Sequence, residues 1–295
     1  MKRRELLAGV VASAALATAP ASAQTPEATP EIGFERGVVY GEVDGQELLL
    51  DVAQPPQGDE PRPAMIVIHG GFLVVGGRGD IVQITAELAR AGYVAFSIDY
   101  RLFSEKTGAN PWPAQLDDVQ RAVRWVRGNA GTYGVDPERI GAIGHSAGGQ
   151  LASMLGVRDT REGIDPGLAN FSSRGNCVVC IAGYVDLTIP YIYPNIDALT
   201  AAILGGTEES PPSEAAYDDF SAITFVDEQT APFLLLHGAR DDLVPVEHSR
   251  RMAEELHEEG VEVVYAEFPD VEHFGITGWN LIGPHTLAFL GRHLG

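Results

Sequence analysis

Apolar positions along this chain follow three rhythms. In "GVVYGEVDGQELLLDVAQP" (37–55) apolar and polar residues alternate on either side of Asp44-Gly45. That pattern predicts two strands joined by a two-residue hairpin. From residue 64 short apolar runs take turns with helical spacing. "AMIVIHG" (64–70), "YVAFSIDYR" (93–101), "VVCIAGYVD" (178–186), "APFLLLHG" (231–238) and "VEVVYAEF" (261–268) read as buried strands. "IVQITAELARAG" (81–92) has helical spacing and stops at a glycine. "PAQLDDVQRAVRWVRGNAG" (113–131) places Leu116, Val119, Val123 and Val126 on one helical face, with Pro113 at its start. "EHSRRMAEELHEEG" (247–260) and "GPHTLAFLGRHL" (283–294) are further helices.

Alternating strands and helices predict an α/β domain, its sheet mostly parallel and its helices on both faces. Residues 187–230 break the rhythm and are rich in Tyr, Pro and acidic residues, as expected of a small cap insertion over the sheet. One domain then covers 37–295. Ligands of such sheets bind at the carboxyl ends of strands, so the residues there carry the functional information.

The N-terminus has a different character. "MKRRE" is basic, "LLAGVVASAALATA" (6–19) is apolar, and "ASAQ" (21–24) offers a cleavage site after Ala23. Residues 1–23 therefore read as a signal peptide, and the apolar run is too short for a membrane anchor. Arg3-Arg4 ahead of Leu6-Leu7 resembles a twin-arginine signal, with an ordinary secretory signal as the alternative. Residues 24–36, rich in Pro and Ala, read as a linker or arm. The expected location is periplasmic or secreted.

The chain has 295 residues, 45% of them hydrophobic, and 41 acidic against 20 basic residues, a net charge of -21. That field repels phosphate backbones and anionic membranes, so no nucleic-acid partner is expected. The two cysteines, Cys177 and Cys180, lie in a strand-like context. Three residues of extended strand span about 10 Å, too far for a disulfide, and a lone pair makes no four-ligand zinc site.

The chemistry lies in "RIGAIGHSAGGQLASML" (139–155), where a strand gives way to a helix at G-x-S-x-G. This context holds a serine on a sharp turn with its hydroxyl exposed, which makes Ser146 the candidate nucleophile. It needs a base. His145 sits on the turn and is expected to point away, while His248 and His257 fall in a charged helix and read as solvated. His273, in the loop after the last strand, is the best candidate. A carboxylate must orient that base. "HGARDDLVP" (237–245) supplies Asp241, the preferred one, or Asp242. The backbone N–H of Ala147 can face a developing oxyanion, and the glycines of "IVIHGGF" (66–72) let Gly71 and Phe72 do so from another strand end.

Taken together these residues resemble the α/β-hydrolase superfamily, in its hormone-sensitive-lipase-like branch and the related bacterial feruloyl-esterase-like (BD-FAE-type) hydrolases. "HGGF" (69–72), "DYRL" (99–102), "GVDPERIGAIGHSAGGQLA" (134–152), "LGGT" (204–207), "HGARDDLVP" and "EHF" (272–274) carry the likeness in order. It implies an eight-stranded sheet, a triad of Ser146, Asp241 and His273, and ester hydrolysis through an acyl-enzyme without metal or cofactor. The substrate implied is a small-molecule or carbohydrate-linked ester. Phe72 stands where the lipase-like members carry a third glycine, and "FLVVG" lacks the tryptophan of the feruloyl-esterase-like members. Few residues precede the first core strand, so the lid is expected from 187–210 and the loop with Trp279. Tyr191, Tyr193 and Trp279 are candidates for lining the site. Two other readings stay open: a prolyl-oligopeptidase-like peptidase or amidase, and a non-catalytic binding protein of the same fold.

Overall fold

The Asp44-Gly45 dipeptide sets the first pair of strands. Both residues are left-handed, with φ of 50° and 80°, as a primed two-residue turn requires. They join β1 (Gly33–Val43) to β2 (Gln46–Gln54) in antiparallel pairing. The structure is a computed structural model and describes residues 31–295 except 57, 59, 162–163, 191–193 and 208. The signal-peptide segment 1–23 and residues 24–30 of the arm lie outside the described residues. The arm as read from sequence ends too late. Gly33, Phe34 and Glu35 pair with Gln54, Ala53 and Val52, so a strand partner decides the conformation there and not the Pro/Ala composition upstream.

The alternation then continues. It runs β3 (Arg62–Ile68), α1 (Val82–Arg90), β4 (Val94–Ile98), α2 (Ala114–Gly128), the single turn α3 (Ala130–Tyr133), β5 (Val135–His145) and α4 (Ala147–Val157). After β6 (Val178–Ile181) the insertion holds α5 (Pro194–Ile203) and α6 (Glu214–Phe220). β7 (Phe233–Gly238), α7 (Glu247–Glu258), β8 (Val263–Phe268) and α8 (Trp279–His293) complete the chain. The strands form one eight-stranded sheet in the order β1-β2-β4-β3-β5-β6-β7-β8. The β1–β2 and β2–β4 pairs are antiparallel and the rest parallel.

Two apolar layers flank the sheet. On one face α2, α4 and α7 pack, and Leu116, Val119, Val123 and Val126 of α2 are fully buried. On the other, α1 and α8 cover Met65, Val67, Ile143 and Leu234. The insertion is tied to the first face at its base. The indole N–H of Trp112 donates to Asp219 at 2.8 Å, and the Gln150 amide to the Phe220 carbonyl at 2.8 Å.

His248 is a correction. Expected in solvent, it is completely buried, because spacing of four residues puts it on the same stripe of α7 as Met252 and Leu256. Cys177 and Cys180 are free and buried, and burial pushes the Cys177 thiol up to about 12.

Candidate active site

β5 ends at His145, α4 begins at Ala147, and Ser146 between them has φ 57° and ψ -120°. This is a strained conformation for a residue with a side chain. Its neighbours make room for it. A Cβ on Gly144 would lie 2.1 Å from the Gly148 carbonyl oxygen, and one on Gly148 would lie 2.1 Å from that of Ile68. Only glycine fits at either place. The Ser146 N–H donates to Ile181 O at 2.8 Å, which fixes the turn against β6.

The loops after β7 and β8 bring Asp241 and His273 together. His273 Nδ1–H donates to Asp241 Oδ2 at 2.7 Å, and both side chains are buried. Asp242, the alternative, is exposed. Asp241 Oδ1 accepts the N–H groups of Leu243 and Val244 at 2.9 and 2.8 Å. A second imidazole reaches the same carboxylate: His237 Nε2 is 3.2 Å from Oδ2 and donates to Val244 O at 3.0 Å. Ser249 Oγ, 2.7 Å from His237 Nδ1, completes that tautomer. Burial alone would raise the Asp241 pKa. The hydrogen bonds from His237 and His273 outweigh it and hold the carboxyl well below the usual range.

His145 does not point away. Its Nε2–H donates to the His273 carbonyl at 2.9 Å, and the two rings lie 4.6 Å apart. Burial, with the neighbouring His273 second, pushes its pKa down to about 4, so it is neutral near pH 7. The residue before the serine thus holds the backbone of the imidazole that is bonded to Asp241. Nothing in the sequence around His145 signals a partner 128 residues away. No hydrogen bond joins Ser146 Oγ to His273 in this resting geometry, and such bonds commonly close only on substrate.

Opposite the serine, the loop after β3 is held in an uncommon backbone path. Gly71, Phe72 and Leu73 have φ of 110°, 52° and 65°. The Gly71 carbonyl accepts the N–H groups of Val74 and Val75 at 3.0 and 3.1 Å, which turns the chain tightly. Among the described residues the N–H groups of Gly71, Phe72 and Ala147 have no backbone partner and stay available. Beneath them the His69 ring stacks on Tyr100 at 4.3 Å, and the Tyr100 hydroxyl donates to His69 O at 3.1 Å. Gly76 lies against that ring, since a Cβ there would come within 2.7 Å of it. Arg78 anchors the stretch: its N–H donates to Asp99 at 2.7 Å, and its guanidinium binds Asp99 and, at 2.8 Å, Asp51.

A cavity of about 590 Å³ opens beside Ser146, lined by Phe72, Val75, Ile81, Ile84, Phe274 and Thr277 among others. A more polar cavity of about 640 Å³ meets it at Gly76, and among its charged side chains Arg78 pairs with Asp51 and Asp99, and Arg36 with Asp51. Trp279 lines neither. It starts α8, which carries it onto the sheet, and its ring folds back over Gly283. Tyr191 and Tyr193 lie outside the described residues. Among the described residues no group of three or more His, Cys, Asp or Glu is arranged to hold a metal ion.

The strand-to-helix serine, the eight-stranded sheet and the order of the loops define an α/β-hydrolase. Within that class, residues 50–256 match the BD-FAE family, and the chain belongs to it. Esterase LipC of Mycobacterium tuberculosis is 32% identical over 86% of this chain and 63% of its own length. The probable carboxylic ester hydrolase LipM of the same organism is 30% identical over 80% of this chain and 55% of its own. The chain thus spans little more than half the length of such relatives. Among solved structures, the butyrate-bound esterase Est2 of Thermogutta terrifontis is 26% identical with a TM-score of 0.71, covering 90% of this chain and 94% of its own. A carbohydrate esterase from gut microbiota, 24% identical over 91% of this chain and 98% of its own, has a TM-score of 0.74 and the same fold.

Proposed function

We propose that this chain is an exported serine carboxylesterase working through an acyl-enzyme. The observation that carries the reading is the pairing of a serine on a left-handed strand-to-helix turn with an imidazole held 2.7 Å from a buried carboxylate. Ser146 attacks the ester carbonyl while His273 takes its proton. The N–H groups of Ala147, Gly71 and Phe72 receive the oxyanion. His273 then returns the proton to the leaving alcohol, and water attacks the acyl group by the same route in reverse. Asp241 keeps the His273 proton on Nδ1, so that Nε2 faces the reaction.

Relatives named as ester hydrolases and the structure of an esterase with bound butyrate support the reaction class. A carbohydrate esterase of the same fold makes sugar-linked esters one substrate class to examine beside small esters. Export rests on residues 1–23 alone.

The test is hydrolysis of p-nitrophenyl esters together with labelling by a fluorophosphonate. Ser146→Ala is expected to abolish labelling and to lower kcat by at least about 10³-fold. A Ser146→Ala protein that turns over esters at the parent rate would sink the proposal.

A further inference from the structure

Phe72 is costly where it stands. Its φ of 52° suits glycine, and an aromatic residue adopts it only when held there. What holds it is a column of rings. Phe72 stacks on Tyr184 with centroids 6.4 Å apart and planes 16° apart. Tyr184 stacks on Phe220 of α6 at 5.9 Å and 8°, and Phe220 meets Trp112 at 4.6 Å. Tyr184 and Phe220 are both buried, so the column is packed along that length. Phe72 also borders the cavity of about 590 Å³ that leads away from Ser146 toward α1 and the turn Gly275–Thr277.

We propose that the Phe72 side chain determines which esters this site takes. Its ring closes the cap side of Ser146 and directs the larger half of the ester into the cavity between the oxyanion loop, α1 and the Gly275–Thr277 turn. The inference rests on the esterase reading and deepens it.

The walls of that cavity say what half this is. Val75, Ile81, Ile84 and Phe274 are apolar, and Phe274 and Val75 are 73% and 60% exposed at the mouth. Exposed apolar side chains gathered at a catalytic cavity mark a surface that a ligand covers. The charged group on the wall is Asp80, in a chain of net charge -21, which repels a carboxylate on the substrate. The fitting substrate is therefore a neutral ester with one medium-chain or aryl half. Acetyl esters of small alcohols would leave the cavity unfilled. Each methylene that reaches such a wall is worth roughly three- to tenfold in kcat/KM.

The experiment uses two ester series, p-nitrophenyl esters from acetate to octanoate and alkyl acetates from ethyl to octyl. All rates are expressed per fluorophosphonate-titrated site, so that misfolded protein does not count. In the parent protein at least one series should rise about tenfold or more from its shortest member to the six-carbon one. Ile84→Phe, which fills the cavity, should flatten that rise. Phe72→Gly, which suits the backbone and opens the cap side, should raise branched pivalate about tenfold relative to hexanoate. Two flat series in the parent, or a Phe72→Gly protein that titrates fully and keeps the parental pivalate-to-hexanoate ratio within twofold, would overturn the proposal. A parent protein that neither titrates nor hydrolyses any ester would overturn the esterase reading, and this inference with it.

Discussion

The two sides of Ser146 are built by different means. On the β7–β8 side, the candidate groups are side chains and side chains hold them: Asp241 accepts from His273 and His237, and His145 donates to the His273 carbonyl. On the β3 side, the candidate groups are backbone N–H groups, and their supports, Gly76, Arg78 and Asp99, lie further along the chain. The first side depends on protonation states and tautomers. The second depends on a backbone path that includes two non-glycine residues at positive φ. A substitution should therefore act sharply and locally on the first side. On the second it should act in a graded way and from a distance.

The strongest way to break this contrast is at the carboxylate. Asp241→Asn keeps an Oδ1 acceptor for the Leu243 and Val244 N–H groups, so the turn is expected to survive. Its amide group facing Nδ1, however, favours the wrong His273 tautomer, and kcat should fall by about 10³- to 10⁴-fold. Asp242→Asn, at an exposed position, should stay within about twofold. Steady-state ester hydrolysis by both variants decides the matter. Comparable losses in the two would mean that the loop as a whole, and not one carboxylate, serves His273.

Arg78→Ala is the matching test on the other side. It touches neither Ser146 nor the candidate donors, yet it leaves Asp51 and Asp99 without their shared cation, so that of the Arg78 anchors to Asp99 only the backbone N–H remains beside the Gly76–Gly77 stretch. Removing an oxyanion donor outright costs about 10²- to 10³-fold in kcat. Loosening its support should cost less, roughly 10- to 100-fold. The loss should appear mainly in kcat, and Arg78→Lys should restore part of it. An Arg78→Ala protein with parental kcat would show that the Gly71–Val75 turn keeps its shape unaided, and the contrast would fail.

The same contrast explains what the sequence discloses. Strand-end residues are legible because chemistry restricts their type: a serine between glycines, a histidine after the last strand, two aspartates after a buried one. The hairpin is legible because Asp-Gly has few uses other than a primed turn. His145 and His237 are not legible as supports, because each acts through a tertiary contact that local spacing does not encode. Phe72 is visible as a departure from a glycine, while its stacking on Tyr184 exists only after the fold places β3 and β6 on either side of β5. His248 misleads for a related reason. Its neighbours Glu247 and Arg250 are charged, and the burial is set by residues four and eight positions later.

That buried histidine offers the mildest test, one of stability. His145 and His248 are both held neutral by burial, their pKa values pushed down to about 4 and about 3. A folded pKa below the unfolded 6.5 means that the unfolded chain binds more protons between the two values. Stability contributed by the neutral form is therefore present above pH 6.5 and lost as pH falls toward 4 and then 3, by a few kcal/mol for each group, to order of magnitude. The two differ in partners. His145 Nε2–H has the His273 carbonyl, whereas neither His248 ring nitrogen has a partner among the described residues. Replacing a buried polar group that makes no hydrogen bond with an apolar one of similar size is neutral or stabilising. His248→Leu should therefore raise the urea midpoint at pH 5 and flatten the acid limb below pH 6.5, with kcat changed by less than about twofold. Asp186 and Arg251 also face His248, as does His237, so the measurement needs Arg251→Gln as a companion to separate the ring's own titration from theirs. If His248→Leu instead lowers kcat along with stability, the packing of α7 against His237 and Asp241 belongs to the proton-handling side, and that side acts less locally than its hydrogen bonds imply.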